Sequence, residues 1–337
     1  MAGVQDHRLV VAVSNAGGLG SLPAAMLSLE TLRSELTQIR AQTDRPYNVN
    51  FFCHTPPVFN EVHEATWRAA LKPYYDELGL DVNNIPTGPG RAPFTAEAAD
   101  VLEAFKPPVV SFHFGLPAAD LLARVRGWGS KIVSSATTVE EALWLESRGV
   151  DAVIAQGLEA GGHRGHFLCH DLTKQLGTFA LLPQIVQAVK VPVIAAGGIA
   201  DAAGVAAAMA LGAAAVQVGT AYLLCPEATT SALHRAALKS LASQHTAHTA
   251  HTALTNLFTG RPARGIVNRL MRELGPISTA APEFPLATGG IAPLRAAAEK
   301  AGSTDFTPLW SGQNASGCRE MGAAELTRAL VAHLKTA

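Results

Sequence analysis

Between Leu22 and Val218 the chain passes through seven short apolar stretches, separated by segments of helical periodicity. Strand and helix alternating in units of roughly 20 to 30 residues are the pattern of parallel crossovers, because a parallel neighbour is reached only through a connection long enough to recross the sheet. The expected strands are a brief one at Leu22, then Tyr47–Phe52, Val109–Phe114, Lys131–Ser134, Ala152–Ala155, Val191–Ala196 and Ala214–Val218. Helices are expected over Arg8–Ala16, Thr31–Thr43, Thr95–Phe105, Ala118–Trp128, Val139–Arg148, Phe179–Val189 and Asp201–Leu211. The clearest of these boundaries is Val139–Arg148, with Thr138 placed to cap its start and Gly149 just past its end.

The fold class that follows is α/β, a TIM (β/α)8 barrel. An open doubly wound sheet is the rival, but its dinucleotide fingerprint needs GxGxxG after an early strand, and only AGGLG stands there, at residues 16–20. Seven strands are one short of closure. The eighth would precede the helix at Arg8, so the expectation is a barrel whose first strand is truncated.

Outside the alternation the pattern changes twice. Prolines 56, 57, 73, 86 and 89 bracket a helical piece at Glu61–Leu78, which reads as an insertion over the barrel mouth. From Cys225 to Ala301 the chain reads as helical. The expected division is therefore a barrel over residues 1–224 with an insertion around 55–94, a smaller helical domain over 225–303 above the mouth, and a segment 304–337 returning to the barrel. Residues 245–253 repeat HTA three times. A tandem expansion explains this better than a metal site, since no Cys or carboxylate nearby would fix a geometry, and no metal is expected.

Composition narrows the ligand. Of 337 residues only 16% are charged, the formal net charge is −1 and no dense Lys/Arg run occurs, so neither nucleic acid nor an anionic membrane is an expected partner. The ligand should be small. Four scattered cysteines form no CxxC pair, and the amino terminus lacks an apolar export core, which together suit the cytoplasm. The weakly polar tract Val191–Pro226 alternates strand, helix and strand, which argues for barrel interior over a membrane span.

Barrel chemistry collects at the carboxyl ends of the strands. Three expected strand ends finish in glycine turns: AQGLEAGGHRG at 155–165, AAGGI at 195–199 and QVGT at 217–220. Adjacent turns that bring backbone N–H groups near helix starts favour a phosphorylated cofactor, and Thr220 adds a hydroxyl. The first turn also presents two ionisable groups, His163 and Arg164. Asn50 and Gln156 place amides at strand ends, suited either to the edge of a heteroaromatic ring or to holding loop backbone. His113 faces either the pocket or the barrel core.

The runs AVSNAGGLGSL, YNVNFF, SFHFG, AQGLEAGGHRG, AAGGI and QVGT, in this order, resemble the nitronate monooxygenases, formerly 2-nitropropane dioxygenases. The similarity spans most of the chain. It implies an FMN-dependent oxidoreductase in which Asn50, Gln156, Gly161, Gly162, Gly197, Gly198, Gln217, Val218, Gly219 and Thr220 hold FMN and His163 is the active-site histidine. PLWSGQ at 308–313 resembles a segment returning to the flavin, which carries over Gly312 and Gln313, and His113 is a candidate for the substrate side. The implied reaction is oxidative denitrification of alkyl nitronates with O2 to a carbonyl compound and nitrite. The alternatives left open are an NAD(P)H-dependent quinone or enoyl-thioester reductase on the same fold, a flavin-binding barrel without turnover, and self-association into a homo-oligomer.

Overall fold

The structure is a computed structural model that describes residues 3–85, 91–243 and 251–336. Seven strands form one parallel sheet: β1 (Gly20–Pro23), β2 (Tyr47–Phe52), β3 (Val109–His113), β4 (Lys131–Ala136), β5 (Ala152–Gln156), β7 (Val193–Ala196) and β8 (Ala215–Gln217), hydrogen-bonded in that order. The two-residue strand β6 (Gly162–His163) belongs elsewhere. The curled sheet carries its helices on the outside, a TIM-type half-barrel, and β8 is not paired with β1.

Alternation along the strands separates two environments. Leu22, Val49, Phe51, Val110, Phe112, Ile132, Val153 and Val193 point outward into the main core, where they meet Leu32, Leu36, Ile39, Leu122, Leu145 and Ile185 from the surrounding helices. Inward-facing residues divide by side. Ser21, Asn48, Asn50 and Ser111 form a polar lining joined by hydrogen bonds, whereas Val133, Ile154 and Ala196 form an apolar one. The polar half faces one wall of a site and the apolar half the other.

Helix starts are fixed by side-chain caps: Ser28, Thr95, Thr138 and Asp201 each accept from the backbone N–H three residues on. These caps also fix where the loops at the strand ends stop. Among the described residues no helix is long and apolar enough to cross a membrane.

The segment after Cys225, expected to be helical, is mixed. It contains β9 (Thr252–Thr255) and β10 (Ala263–Ile266), which build a three-stranded antiparallel sheet with β6, in the order β6-β10-β9. Two strands of four residues are too short for a period of two to stand out, and the third member lies about a hundred residues upstream. The same pairing puts His163 in a strand opposite Ala263 instead of in a free loop. Most of the HTA repeat, residues 245–250, lies outside the described residues.

A second core joins the insertion to this region. Trp67, Leu71, Tyr74 and Tyr75 from the helix Glu61–Glu77 pack with Leu257, Phe258, Leu270, Met271, Ile291, Leu294 and Phe306. Tyr75 donates to the Gly290 carbonyl at 2.7 Å.

Candidate functional site

The carboxyl ends of β5, β7 and β8 converge with the returning segment 308–314. Gly161 lies against Ser311 and Gly312 so closely that a Cβ there would stand 2.5 Å from the Gly312 nitrogen. Gly312 donates to Thr220 Oγ1 at 2.9 Å, Asn314 donates to the Gly198 carbonyl at 2.9 Å, and the Gln313 N–H reaches the Glu159 carbonyl at 3.0 Å. Thr178 donates to the Gly197 carbonyl at 2.9 Å. Gly161, Gly197, Gly198, Thr220, Gly312 and Gln313 thus share one glycine-lined cradle, with Gln217, Val218 and Gly219 leading into it from β8, while Gly162, next in the chain to Gly161, pairs with Arg264. The N–H groups of Gly197, Gly198 and Gly219 have no protein acceptor among the described residues.

The second group of expected residues surrounds the backbone of His163. Gln156 Nε2 donates to the His163 carbonyl at 2.9 Å, and its Oε1 accepts from Gly165 N–H at 2.7 Å. Its amide is therefore a clasp on the loop. His113 faces the site: Nε2 meets the same His163 carbonyl at 3.2 Å, so Nε2 carries the proton and Nδ1 accepts from Ser135 at 3.0 Å. Burial pushes this imidazole down to about 3. Asn50 donates to Ser111 Oγ at 2.8 Å, and its neighbour Asn48 keeps a buried Oδ1 without a partner.

Arg164, expected beside His163 on the same turn, is wholly buried. It donates to the Gln156 and Gly157 carbonyls and to Gln175 Oε1, binding the end of β5 from beneath. It is a positioning residue.

The His163 ring sits among Phe52, Phe114, Phe284 and Trp310, with ring centroids 5.3 to 6.0 Å away. Burial, and next the Arg91 guanidinium, hold its pKa well below the ordinary histidine value. The ring is neutral near pH 7. Nε2 lies 2.9 Å from Thr259 Oγ1, a hydroxyl able to accept from Nε2–H or to donate to a bare Nε2. Nδ1 has no protein partner among the described residues, so the Thr259 hydroxyl decides whether the free nitrogen presents a donor or a lone pair.

Sequence reasoning missed Thr259, Arg261, Arg91, His54 and the aromatic ring cluster. The one available signal was Arg261 and Arg264 three apart in a short run that also carries Gly260 and Gly265. Among the described residues no His, Cys, Asp and Glu are grouped to hold a metal ion.

A curled parallel sheet with its polar and glycine-rich groups gathered at the carboxyl edge defines a TIM-barrel-type enzyme. A family profile described as nitronate monooxygenase matches residues 1–333. The chain is 40% identical to a nitronate monooxygenase of Pseudomonas aeruginosa over 99% of its length and 94% of the relative's, and 41% identical to one of Paraburkholderia phytofirmans over 99% and 90%. A solved nitroalkane oxidase from Streptomyces ansochromogenes superposes with a TM-score of 0.88 at 39% identity, covering 99% of this chain and 94% of that one. FabK from Thermotoga maritima superposes with a TM-score of 0.71 at 26% identity, covering 99% and 90%. The chain belongs to the nitronate monooxygenase family, a family of flavin-dependent oxidoreductases.

Proposed function

We propose that the protein is an FMN-dependent nitronate monooxygenase that converts alkyl nitronates and O2 to carbonyl compounds and nitrite. Two nitronates and one O2 yield two carbonyls and two nitrites, in which atoms and charge balance. The observation that carries the proposal is the convergence of one neutral imidazole, His163, with a backbone cradle whose Gly197, Gly198 and Gly219 N–H groups find no acceptor among the described residues.

The residues present fit FMN. The cradle tolerates no Cβ at Gly161, and the unpaired N–H groups of Gly197, Gly198 and Gly219, with Thr220 beside them, suit a phosphate. The orphaned Asn48 Oδ1, with Asn50 on the same strand face, suits the polar edge of the flavin ring. Gln156 contributes mainly by fixing the His163 backbone. Bound FMN supplies the electron-accepting and O2 chemistry.

His163 then acts as a neutral group. With Thr259 donating to Nε2, Nδ1–H donates to the nitronate oxygen; with Thr259 accepting, bare Nδ1 takes the α-proton of a neutral nitroalkane. The ring cluster excludes water around it. The barrel over residues 1–224 carries this chemistry, while the insertion and residues 225–303 roof it through their shared core. Four free cysteines suit a cytoplasmic location.

Replacing His163 by Asn should leave flavin absorbance intact and lower kcat/KM for a nitronate by about 100-fold or more. An unchanged kcat/KM with FMN bound would remove His163 from the reaction.

A further inference from the structure

Two guanidiniums reach the same ring cluster as His163, and neither forms an ion pair with a carboxylate among the described residues. Arg261 stacks over Phe114, 4.0 Å from the ring centroid, and donates to the His166 carbonyl, while its Nε is buried without a partner. Arg91 stands 5.9 Å over Phe284 and donates to Thr288 Oγ1 at 2.9 Å. The two rings are adjacent, with centroids 5.5 Å apart, and each packs on His163 and on His54. Among the described residues, most of the ten N–H donors on this pair have no acceptor.

A cation withdrawn from water is ordinarily matched by an anion. The carboxylate that acts on Arg261 electrostatically, Glu141, is already occupied, accepting from Thr137, Phe167 and Leu168. The nearby imidazoles cannot compensate, because protonating them would add like charge. Two features hold Arg261 in place at local cost. Phe114 sits beneath it with φ +71°, a backbone region that a side chain of its size rarely adopts. Gly260 just before it approaches the chain at 282–284 so closely that a Cβ would lie 2.1 Å from the Pro282 carbonyl oxygen.

We propose that Arg91 and Arg261 form an anion subsite that seats the negatively charged nitro end of the substrate against His163. This rests on the nitronate reading above and adds to it a division of labour. The guanidinium pair supplies the charge recognition, and neutral His163 supplies the directional hydrogen bond or the base. Selectivity for the anion over the neutral nitroalkane then comes from the arginines.

Nitrate, a planar oxyanion, probes the pair without turnover. In FMN-loaded protein at constant ionic strength, nitrate should raise Tm saturably. Arg261→Met should weaken that effect by about ten-fold or more, Arg91→Gln should weaken it as well, and Arg261→Lys should restore part of it. Both charge-removing variants should retain FMN, and should raise KM for ethyl nitronate by about ten-fold while leaving KM for neutral nitroethane unchanged. If Arg261→Met does not fold, Arg91→Gln and Arg261→Lys carry the comparison. Equal nitrate affinity in all variants, equal KM increases for nitronate and nitroethane, or loss of FMN on removing either charge would overturn the proposal. A protein that binds nitrate through the pair but consumes no O2 with any nitronate keeps the subsite and defeats the nitronate reading. Nitronate oxidation with unchanged KM in the variants does the reverse.

Discussion

Gln156, His113 and Arg164 between them fix the backbone on which His163 stands. Two of them hold the same carbonyl, that of His163, from different strands. A neutral His113 is a condition of that arrangement, since only a ring with one bare nitrogen accepts from Ser135 while donating to His163. Four buried imidazoles are held low by burial: His113 and His166 to about 3, His54 and His234 to about 4, against an ordinary 6.5. The unfolded chain takes up protons below about 6.5 that the folded chain refuses, so stability is complete above that pH and is lost as pH falls toward the folded values. Each such imidazole contributes a slope of up to about 1.4 kcal/mol per pH unit. Tm should therefore be level from pH 8 to 7 and decline from about 6.5 to 5, less steeply in His166→Phe. A level Tm down to pH 5 would show that these rings titrate normally.

At the scale of elements, the site depends on the small antiparallel sheet as much as on the barrel. β10 pairs with β6 on one edge, and the returning segment bridges at Gly265 and Trp310, which brings the Trp310 ring to His163. Gly161 is the tight point of this junction. Gly161→Ala should push the 311–312 backbone off the cradle, weakening FMN binding by about ten-fold while the far-UV spectrum is kept; undiminished FMN affinity would mean that the cradle opens without consequence. The barrel elements were legible because their periods are local: the strand Tyr47–Phe52 and the cap at Thr138 stand as expected. β9 and β10 were not, because their partner lies far upstream and nothing within four residues marks the pairing. The cradle glycines and His163 were visible as strand-end turns. Arg91, Thr259 and Phe284 were invisible, since each is an ordinary residue until the fold carries it to His163, and Arg261 showed only as one of a pair of arginines in a glycine-bearing run.

The whole molecule is a half-barrel whose mouth is roofed by a second core drawn from two separate stretches, the helix Glu61–Glu77 and residues 253–306. That roof supplies Phe284 and Arg261 to the surroundings of the imidazole, the returning segment supplies Trp310, and the barrel supplies Phe52, Phe114, the cradle and the polar wall of Asn48, Asn50 and Ser111. Neither part is a site alone. The NAD(P)H-dependent reductase left open by the sequence is the competing reading, and the two activities differ in what delivers electrons to the flavin. The decisive measurement is the visible spectrum of the purified protein, taken anaerobically before and after addition of ethyl nitronate and, separately, of NADH. The account predicts flavin absorbance at the outset, rapid bleaching by the nitronate that O2 reverses, and no comparable bleaching by NADH. A colourless protein that does not take up FMN, or one bleached by NADH and indifferent to the nitronate, would contradict it.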